Sequence, residues 1–323
     1  FVGTGTIGTE HVDTQALAER GIGFASTPGA NAIAVGEYVL AATLELASKA
    51  QLSLGGKEAL VVGAGHTGSQ AGKRLAALGM KVRYIDPNPV ITDAEKVFVG
   101  WDALASAGVV SLHVPLTKKG EHATHHLLNE ANIGELKCGA LLINASRGPV
   151  IQQQALLARL QSGPTLYCAL DVWEHEPQVS AEVVERVGIA TPHIAGHTQE
   201  GKIRGSYFLY KALAAYYGWS NANKSEQLYM TKRGIQTFSC LENHDQDVIS
   251  QQTVTEWVRK SYAIMTDDQA FRSSGLTPVG FDSLRKKYQQ RRELSVTCVK
   301  VAAHNVKQCL QLGFQVVSTP EQQ

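Results

Sequence analysis

Glu58-Ala59-Leu60-Val61-Val62-Gly63-Ala64-Gly65-His66-Thr67-Gly68 is the stretch on which the fold turns. Ala59 to Val62 is a continuous apolar run, the pattern of a strand buried on both faces, and Gly63 ends it. Beyond it Ala71, Leu75 and Leu78 fall on one helical face, and Gly79 is a C-terminal stop. The glycines therefore lie between a strand and a helix, where each has its own task. Gly63 allows the tight turn, Gly65 lets the backbone approach a pyrophosphate, and Gly68 lets the helix pack close to the strand. Free amides at the helix N-terminus then hold the phosphate charge. A second apolar run, Val82 to Ile85, ends at Asp86, 18 residues beyond Gly68. A carboxylate there accepts hydrogen bonds from ribose hydroxyls and repels a 2′-phosphate, so NAD is expected rather than NADP. A glycine turn beside an acidic loop residue, with no ligand, is the alternative.

Outward from this stretch the pattern repeats. Val109 to Leu112, Ala140 to Ile143, Leu166 to Leu170 and Val187 to Ala190 are further strand-like runs with helical stretches between them. Six such runs predict an α/β fold with a doubly wound parallel sheet. Ala34 to Ala47 reads as a helix at the domain edge, and Tyr217 to Glu226 as a polar linker. After the linker the alternation is lost, with helices expected at Thr253 to Met265 and Phe281 to Glu293. The last hundred residues read as a separate small α+β domain. A second glycine pattern, Gly3 to Gly8, has only two residues before it and no acidic residue near position 28, so it is set aside.

The 323 residues are 44% hydrophobic and 18% charged, enough to build a sizeable core. Thirty Lys and Arg against twenty-nine Asp and Glu give a net charge of +1, which gives no reason to expect a nucleic-acid or membrane partner. No apolar run approaches the roughly 18 to 20 residues that span a bilayer. Five cysteines without a CxxC pair fit free thiols in a reducing, cytoplasmic compartment. The first residue is Phe1 rather than methionine, so the sequence is expected to start inside a longer chain.

Three polar residues follow three successive strand-like runs, and ligands of open α/β sheets bind at the carboxyl ends of strands. Arg147 follows Leu142 to Ser146, Glu176 follows Leu170 to His175, and His193 follows Ile189 to Pro192. A guanidinium offers paired donors to a carboxylate or a forming carbonyl. An imidazole removes a hydroxyl proton as hydride leaves, and a neighbouring carboxylate fixes its tautomer. This is the kit of a 2-hydroxy acid dehydrogenase, with Arg147 as anchor, His193 as base and Glu176 as its partner. Glu174 is the alternative partner.

Val61 to Gly68, Ile143 to Gly148 (INASRG), Leu170 to Pro177 (LDVWEHEP) and Thr191 to Gly196 (TPHIAG) together resemble the D-isomer-specific 2-hydroxy acid dehydrogenases. The resemblance implies a Rossmann domain at residues 34–197 that binds NAD through Gly63, Gly65, His66, Thr67, Gly68, Asp86, Val114, Ala145, Ser146, Asp171 and Gly196. For Asp171, capping of its own turn is the alternative. Residues 1–33 would be the remainder of a flavodoxin-like substrate domain whose first part precedes Phe1. Residues 198–224 would be a return helix and linker, and residues 225–323 a dimerisation domain. The flanks Phe1 to Asp13, Asn31 to Tyr38 and Phe281 to Glu293 resemble a branch of the family that acts on a small phosphorylated 2-hydroxy acid as a homodimer. That likeness implies substrate contacts by Thr6 and by residue 197, which is His197 where tyrosine is expected. Another D-2-hydroxy acid dehydrogenase and a NAD-sensing binding module are the other readings.

His122, His125 and His126 lack companions at ligand spacing, and no metal is expected. Arg285, Lys286, Lys287, Arg291 and Arg292 read as a solvated helix face, in preference to a nucleic-acid patch, with attraction of a phosphorylated substrate as a third option. Cys168 reads as a buried, inert thiol.

Overall fold

The computed structural model describes residues 1–9, 11–88, 96–219, 239–242, 249–288 and 291–319. At the N-terminus β1 (Val2–Gly3) and β2 (Phe24–Ala25) form a parallel pair around α1 (Thr14–Glu19), whose N-cap Asp13 accepts the Ala16 amide at 2.9 Å. Helix α2 (Ala32–Lys49) follows, buried without interruption from Ala34 to Ala47. A helix apolar on every side belongs inside. Its two glutamates are matched: Glu37 lies 3.4 Å from Arg74, and Glu45 takes a two-pronged bond from Arg259 at 2.7 and 2.8 Å.

All six expected strands are present. They are β3 (Glu58–Val62), β4 (Lys81–Ile85), β5 (Val109–Leu112), β6 (Ala140–Asn144), β7 (Leu166–Leu170) and β8 (Ile189–Ala190), all parallel in the order β4-β3-β5-β6-β7-β8. Outside β4 a parallel bridge between Tyr84 and Phe98 adds a vestige of a further strand. The chain order reverses between β3 and β5, the switch point at which such sheets bind ligands. Side chains alternate across the sheet. Ala59 and Val61 enter the cluster that holds Val39, Leu40 and Leu75, whereas Leu60 and Val62 enter the one that holds Leu104, Leu156 and Val184. Each buried Leu or Val contributes roughly 1.5–3 kcal/mol, so the two-sided strand pattern secures both faces. Helices α3 (His66–Ala77), α4 (Gln153–Ser162) and α5 (Ala181–Arg186) connect the strands.

The register decides where function collects. Val62 pairs with Leu112, Leu112 with Asn144, Asn144 with Leu170, and Leu170 with Ala190. All five strands therefore end on one line, and the loops after them share one edge.

Helix α6 (Gln199–Tyr216) leads away from β8. The expected linker from Tyr217 to Glu226 lies outside the described residues from position 220 onward, as does the 224/225 boundary. The tail builds its own parallel sheet of β9 (Ser239–Glu242), β10 (Thr297–Ala302) and β11 (Gln315–Thr319), ordered β11-β10-β9, with α7 (Gln251–Ser261), α8 (Ile264–Ser274), α9 (Pro278–Lys286) and α10 (Val306–Leu312). This α+β region shares the core of the rest. Trp257, Val299 and Phe314 join the cluster of α2, and Phe271 and Phe281 join the cluster on the other sheet face.

Two sequence expectations are corrected here. The helix expected over Thr253 to Met265 is two helices, because Tyr262 leaves α7 in extended conformation and is buried there, with the Arg291 guanidinium 4.3 Å above its ring. The helix expected over Phe281 to Glu293 ends at Lys286, and the chain leaves it to reach α6. The cations beyond are accordingly not a solvated face. Arg291 is only 7% exposed and Arg292 is bonded to Glu200, while Lys286 and Lys287 do face solvent. Cys168 and Cys309 are buried free thiols, and burial pushes Cys168 up to about 12.

Candidate active site

The glycine loop has the geometry its spacing predicts. Gly63 adopts φ +96, and a Cβ there would lie 2.5 Å from the His113 carbonyl oxygen, so the β3 and β5 loops touch across the switch point. A Cβ on Gly68 would lie 1.8 Å from the Gly63 carbonyl, which is the close helix-to-strand contact. At Gly65, the N-cap of α3, a Cβ would meet nothing within 4 Å. Open space in front of helix amides is what a pyrophosphate needs. His66 and Thr67 open the helix, with His66 against Gly29, and Val114 lies beside Gly63.

Asp86 leaves β4 and turns its carboxylate on the loop, where Oδ2 accepts the Ala64 amide at 2.8 Å and Oδ1 the Asn88 amide at 3.0 Å. Lys96, which sequence reasoning missed, donates to the Ala64 carbonyl and to Ser69 Oγ at 2.8 Å. His113 is buried and bonded to Ser111 at 2.8 Å; burial pushes it down to about 3, so it adds no charge beside the loop.

At the end of β6 the Asn144 side chain shapes the following turn. Its amide donates to the Arg147 carbonyl at 3.0 Å, and its Oδ1 accepts the Ser146 amide at 3.1 Å and the Ser146 hydroxyl at 2.8 Å. Ala145, Ser146 and Arg147 are thereby set at the sheet edge. A Cβ on Gly148 would lie 1.9 Å from the Trp173 carbonyl, so the Arg147 loop abuts the loop that carries Glu176. A single Asn that binds its own downstream backbone carries a local signal for such a turn, which the sequence reading left unused.

His193 Nδ1 lies 2.8 Å from Glu176 Oε2, and Glu176 Oε1 accepts the Trp173 amide at 2.8 Å. Glu174 is engaged elsewhere, with His126 and with the Gln153 amide at 2.7 Å. The structure thus pairs His193 with Glu176 and not with the alternative Glu174. His193 has φ +58, uncommon for a residue with a side chain. Asp171, 1% exposed, holds that conformation. Its carbonyl accepts the His193 amide at 2.7 Å, its Oδ1 accepts the Ile194 amide at 2.8 Å and the Thr191 hydroxyl at 2.7 Å, and its Oδ2 accepts the Ala195 amide at 2.9 Å. Asp171 serves the turn that presents His193.

Gly196 sits against Asn31, where a Cβ would come within 2.5 Å of the Asn31 amide nitrogen. Thr6 lies in the N-terminal region, its carbonyl accepting the Thr27 amide at 3.1 Å and its hydroxyl donating to the Gly8 carbonyl at 2.7 Å. His197 follows the His193 turn, with its ring 6.2 Å from that of Tyr288. Burial, and then the charges of Lys202, Arg285, His193 and Arg291, push it down to about 4. It is neutral at physiological pH, and the positive charge around it belongs to the lysine and arginines. His125 stacks on His126. Among the described residues no group of three or more His, Cys, Asp or Glu is arranged to hold a metal.

Residues 32–195 match the model of the D-isomer specific 2-hydroxyacid dehydrogenase NAD binding domain, and residues 240–313 match a domain of unknown function (DUF3410). The chain is similar to the erythronate-4-phosphate dehydrogenases of Tolumonas auensis, at 41% identity over 98% of this chain and 83% of that one, and of Idiomarina loihiensis, at 43% over 97% and 82%. Among solved structures, the holo form of Rhodotorula graminis D-mandelate dehydrogenase is 31% identical with a TM-score of 0.57, covering 63% of this chain and 68% of that one. A D-2-hydroxyisocaproate dehydrogenase is 26% identical with a TM-score of 0.57, covering 68% and 77%.

Proposed function

The chain belongs to the D-isomer-specific 2-hydroxyacid dehydrogenase family, NAD-dependent oxidoreductases, and from this we propose that it oxidises 4-phospho-D-erythronate to 3-hydroxy-2-oxo-4-phosphobutanoate, a step of pyridoxal phosphate (vitamin B6) biosynthesis. The observation that carries the chemistry is the His193 to Glu176 contact of 2.8 Å, on the edge where the glycine loop opens. What supports a phosphorylated substrate is the similarity to the erythronate-4-phosphate dehydrogenases over nearly the whole chain.

The residues fit NAD. Gly63 and Gly68 bring strand and helix together, Gly65 leaves room before the α3 amides, and Asp86 stands at the end of β4 to receive the ribose hydroxyls. Val114, Ala145, Ser146 and Gly196 complete the lining, and Asp171 holds the part of it that carries His193. NAD supplies a hydride acceptor. Glu176 takes Nδ1 of His193 as its partner and turns Nε2 toward the substrate hydroxyl. As C2 gives up its hydride, Nε2 takes the hydroxyl proton, the O–H and C–H bonds break, and the C2 carbonyl forms. The resulting imidazolium is stabilised by the Glu176 carboxylate. Arg147 anchors the substrate carboxylate and the developing carbonyl with paired donors. Thr6 and His197 contact the remainder of the substrate.

In this reading residues 1–33 complete a substrate domain, 34–197 bind NAD, 198–224 return and link, and 225–323 join two copies into a homodimer. A cytoplasmic setting suits the buried free thiols, and no described helix is long and apolar enough to cross a membrane. NADH absorbance with 4-phospho-D-erythronate and NAD, beside a His193→Gln control, tests the proposal. Turnover that is lost in the variant supports substrate and base together. NAD binding without turnover on this substrate overturns the substrate assignment.

A further inference from the structure

Residues 240–313 reach the turn that carries His193 through Arg291. Arg291 follows α9 and is 7% exposed, a costly place for a guanidinium. Its Nη2 donates to the Ala195 carbonyl at 2.9 Å and to the Ala34 carbonyl at 2.7 Å. Ala195 lies two residues after His193, and Ala34 lies in the first turn of α2. The Arg291 carbonyl also accepts the Gln199 amide at 2.9 Å, at the start of α6. One residue of the tail therefore ties together the base-bearing turn, the helix behind the sheet and the helix that follows.

Its neighbours make the attachment rigid. Arg292 Nε donates to Glu200 Oε1, and the Glu293 amide donates to Glu200 Oε2 at 2.9 Å. Glu293, 2% exposed, takes a two-pronged bond from Arg204 at 3.0 Å on each oxygen and accepts the Thr198 hydroxyl at 3.3 Å. The turn from His193 to Ala195 is thus gripped from two sides. Asp171 holds its amides, and Arg291 holds the carbonyl that closes it. A turn that keeps a histidine at positive φ needs such opposed restraints, because the strained conformation persists only where its surroundings over-determine it.

We propose that Arg291 is a positioning residue for His193, and that residues 240–313 thereby set the geometry of proton transfer; this rests on the reading of His193 as the base. Arg291 acts through the Ala195 carbonyl and does not itself take part in the reaction.

The full chain is compared as wild type, Arg291→Met and Arg291→Lys. The measurements are kcat and KM for 4-phospho-D-erythronate and NAD, together with the His193 ring resonance, assigned by NMR from the spectrum of His193→Gln. Methionine fills the space but donates nothing, so kcat is expected to fall about 10²-fold with the KM for NAD within about threefold of wild type. The His193 resonance moves. Lysine keeps a cation but places it differently, so its kcat falls between the two, about tenfold below wild type. An unchanged kcat and an unmoved resonance in a folded methionine variant overturn the proposal. So does parallel loss of kcat and NAD affinity in both variants, which marks a purely structural role. If the methionine variant does not fold, the lysine variant decides by the same readings. If the wild type fails to turn over 4-phospho-D-erythronate, the substrate assignment falls, and the His193 resonance still decides the role of Arg291.

Discussion

The main-chain carbonyl of Asp171 accepts the amide of His193 at 2.7 Å, while the Asp171 carboxylate accepts the amides of Ile194 and Ala195. A residue at the end of one strand thus dictates the backbone of the turn after the next strand. The carboxylate is 1% exposed, so its charge is compensated by these donors rather than by water.

Asp171→Asn tests this restraint. An amide side chain of the same shape presents one acceptor oxygen where the carboxylate presents two, so one buried amide or hydroxyl loses its partner. Stability is expected to fall by about 1–3 kcal/mol in denaturant titration, with kcat lowered more than the affinity for NAD. A variant with wild-type midpoint and kcat would show that the turn holds itself.

The two neighbouring glutamates give a contrast. Glu176→Gln keeps the shape beside His193 and removes the charge that favours the imidazolium, so kcat is expected to drop by about 10²-fold, and His193→Gln by about 10²–10⁴-fold. Glu174 is bound to His126 and the Gln153 amide, so Glu174→Gln should cost stability and leave kcat nearly intact. Steady-state kinetics on the three variants checks the order, and a larger kcat loss for Glu174→Gln than for Glu176→Gln would reverse the assignment.

The glycines separate folding from binding. An alanine at position 68 meets the Gly63 carbonyl at 1.8 Å, a backbone clash that side-chain movement cannot relieve. Gly68→Ala should lose several kcal/mol and unfold at lower denaturant. Gly65 has φ −70 and open space beyond, so Gly65→Ala should melt as the wild type does without ligand. Its methyl group occupies the place where the backbone meets a pyrophosphate, and NAD affinity should fall by about 10²-fold or more by fluorescence titration. Equal effects of the two substitutions on melting would contradict the geometry.

Acid should weaken the fold through two histidines. Burial holds His113 down to about 3, and burial aided by nearby cations holds His197 down to about 4, against an ordinary value near 6.5. The unfolded chain therefore binds protons that the folded one refuses. The stability associated with the two groups is fully present above about pH 6.5 and is lost as pH falls, until pH passes the two folded values. Melting temperature measured from pH 7 to pH 4 should decline more steeply in the wild type than in His197→Tyr, which keeps the contribution of His113 and loses that of position 197. Parallel curves would remove His197 from the account.

Much of the site was legible because its signals are local. The GxGxxG spacing between a strand and a helix, the six apolar runs and the polar residues just after three of them all lie within short windows of sequence. The Tyr84 to Phe98 bridge was not legible, since a single pair leaves no run. Nor was the break at Tyr262, where the apolar pattern continues and only the buried contact with Arg291 explains the extended residue. Arg291 itself read as one of five surface cations, because charge spacing along a chain cannot reveal which guanidinium finds two carbonyls waiting. Lys96 has no motif around it, and its contacts with Ala64 and Ser69 go with the Tyr84 to Phe98 bridge that lays its segment beside β4.

By itself the sequence determined the parallel sheet and the dinucleotide loop and brought Arg147, Glu176 and His193 forward as the candidate reactive set, because strand burial, helix amphipathicity and glycine turns are set by residues a few positions apart. Only the tertiary structure decided that Glu176 and not Glu174 faces His193, that Asp171 spends its carboxylate on the His193 turn, and that Arg291 closes that turn from the far end of the chain. Those outcomes depend on strand register and on which distant backbone groups are left needing a partner once the core has packed, and neither is encoded in any one window of residues.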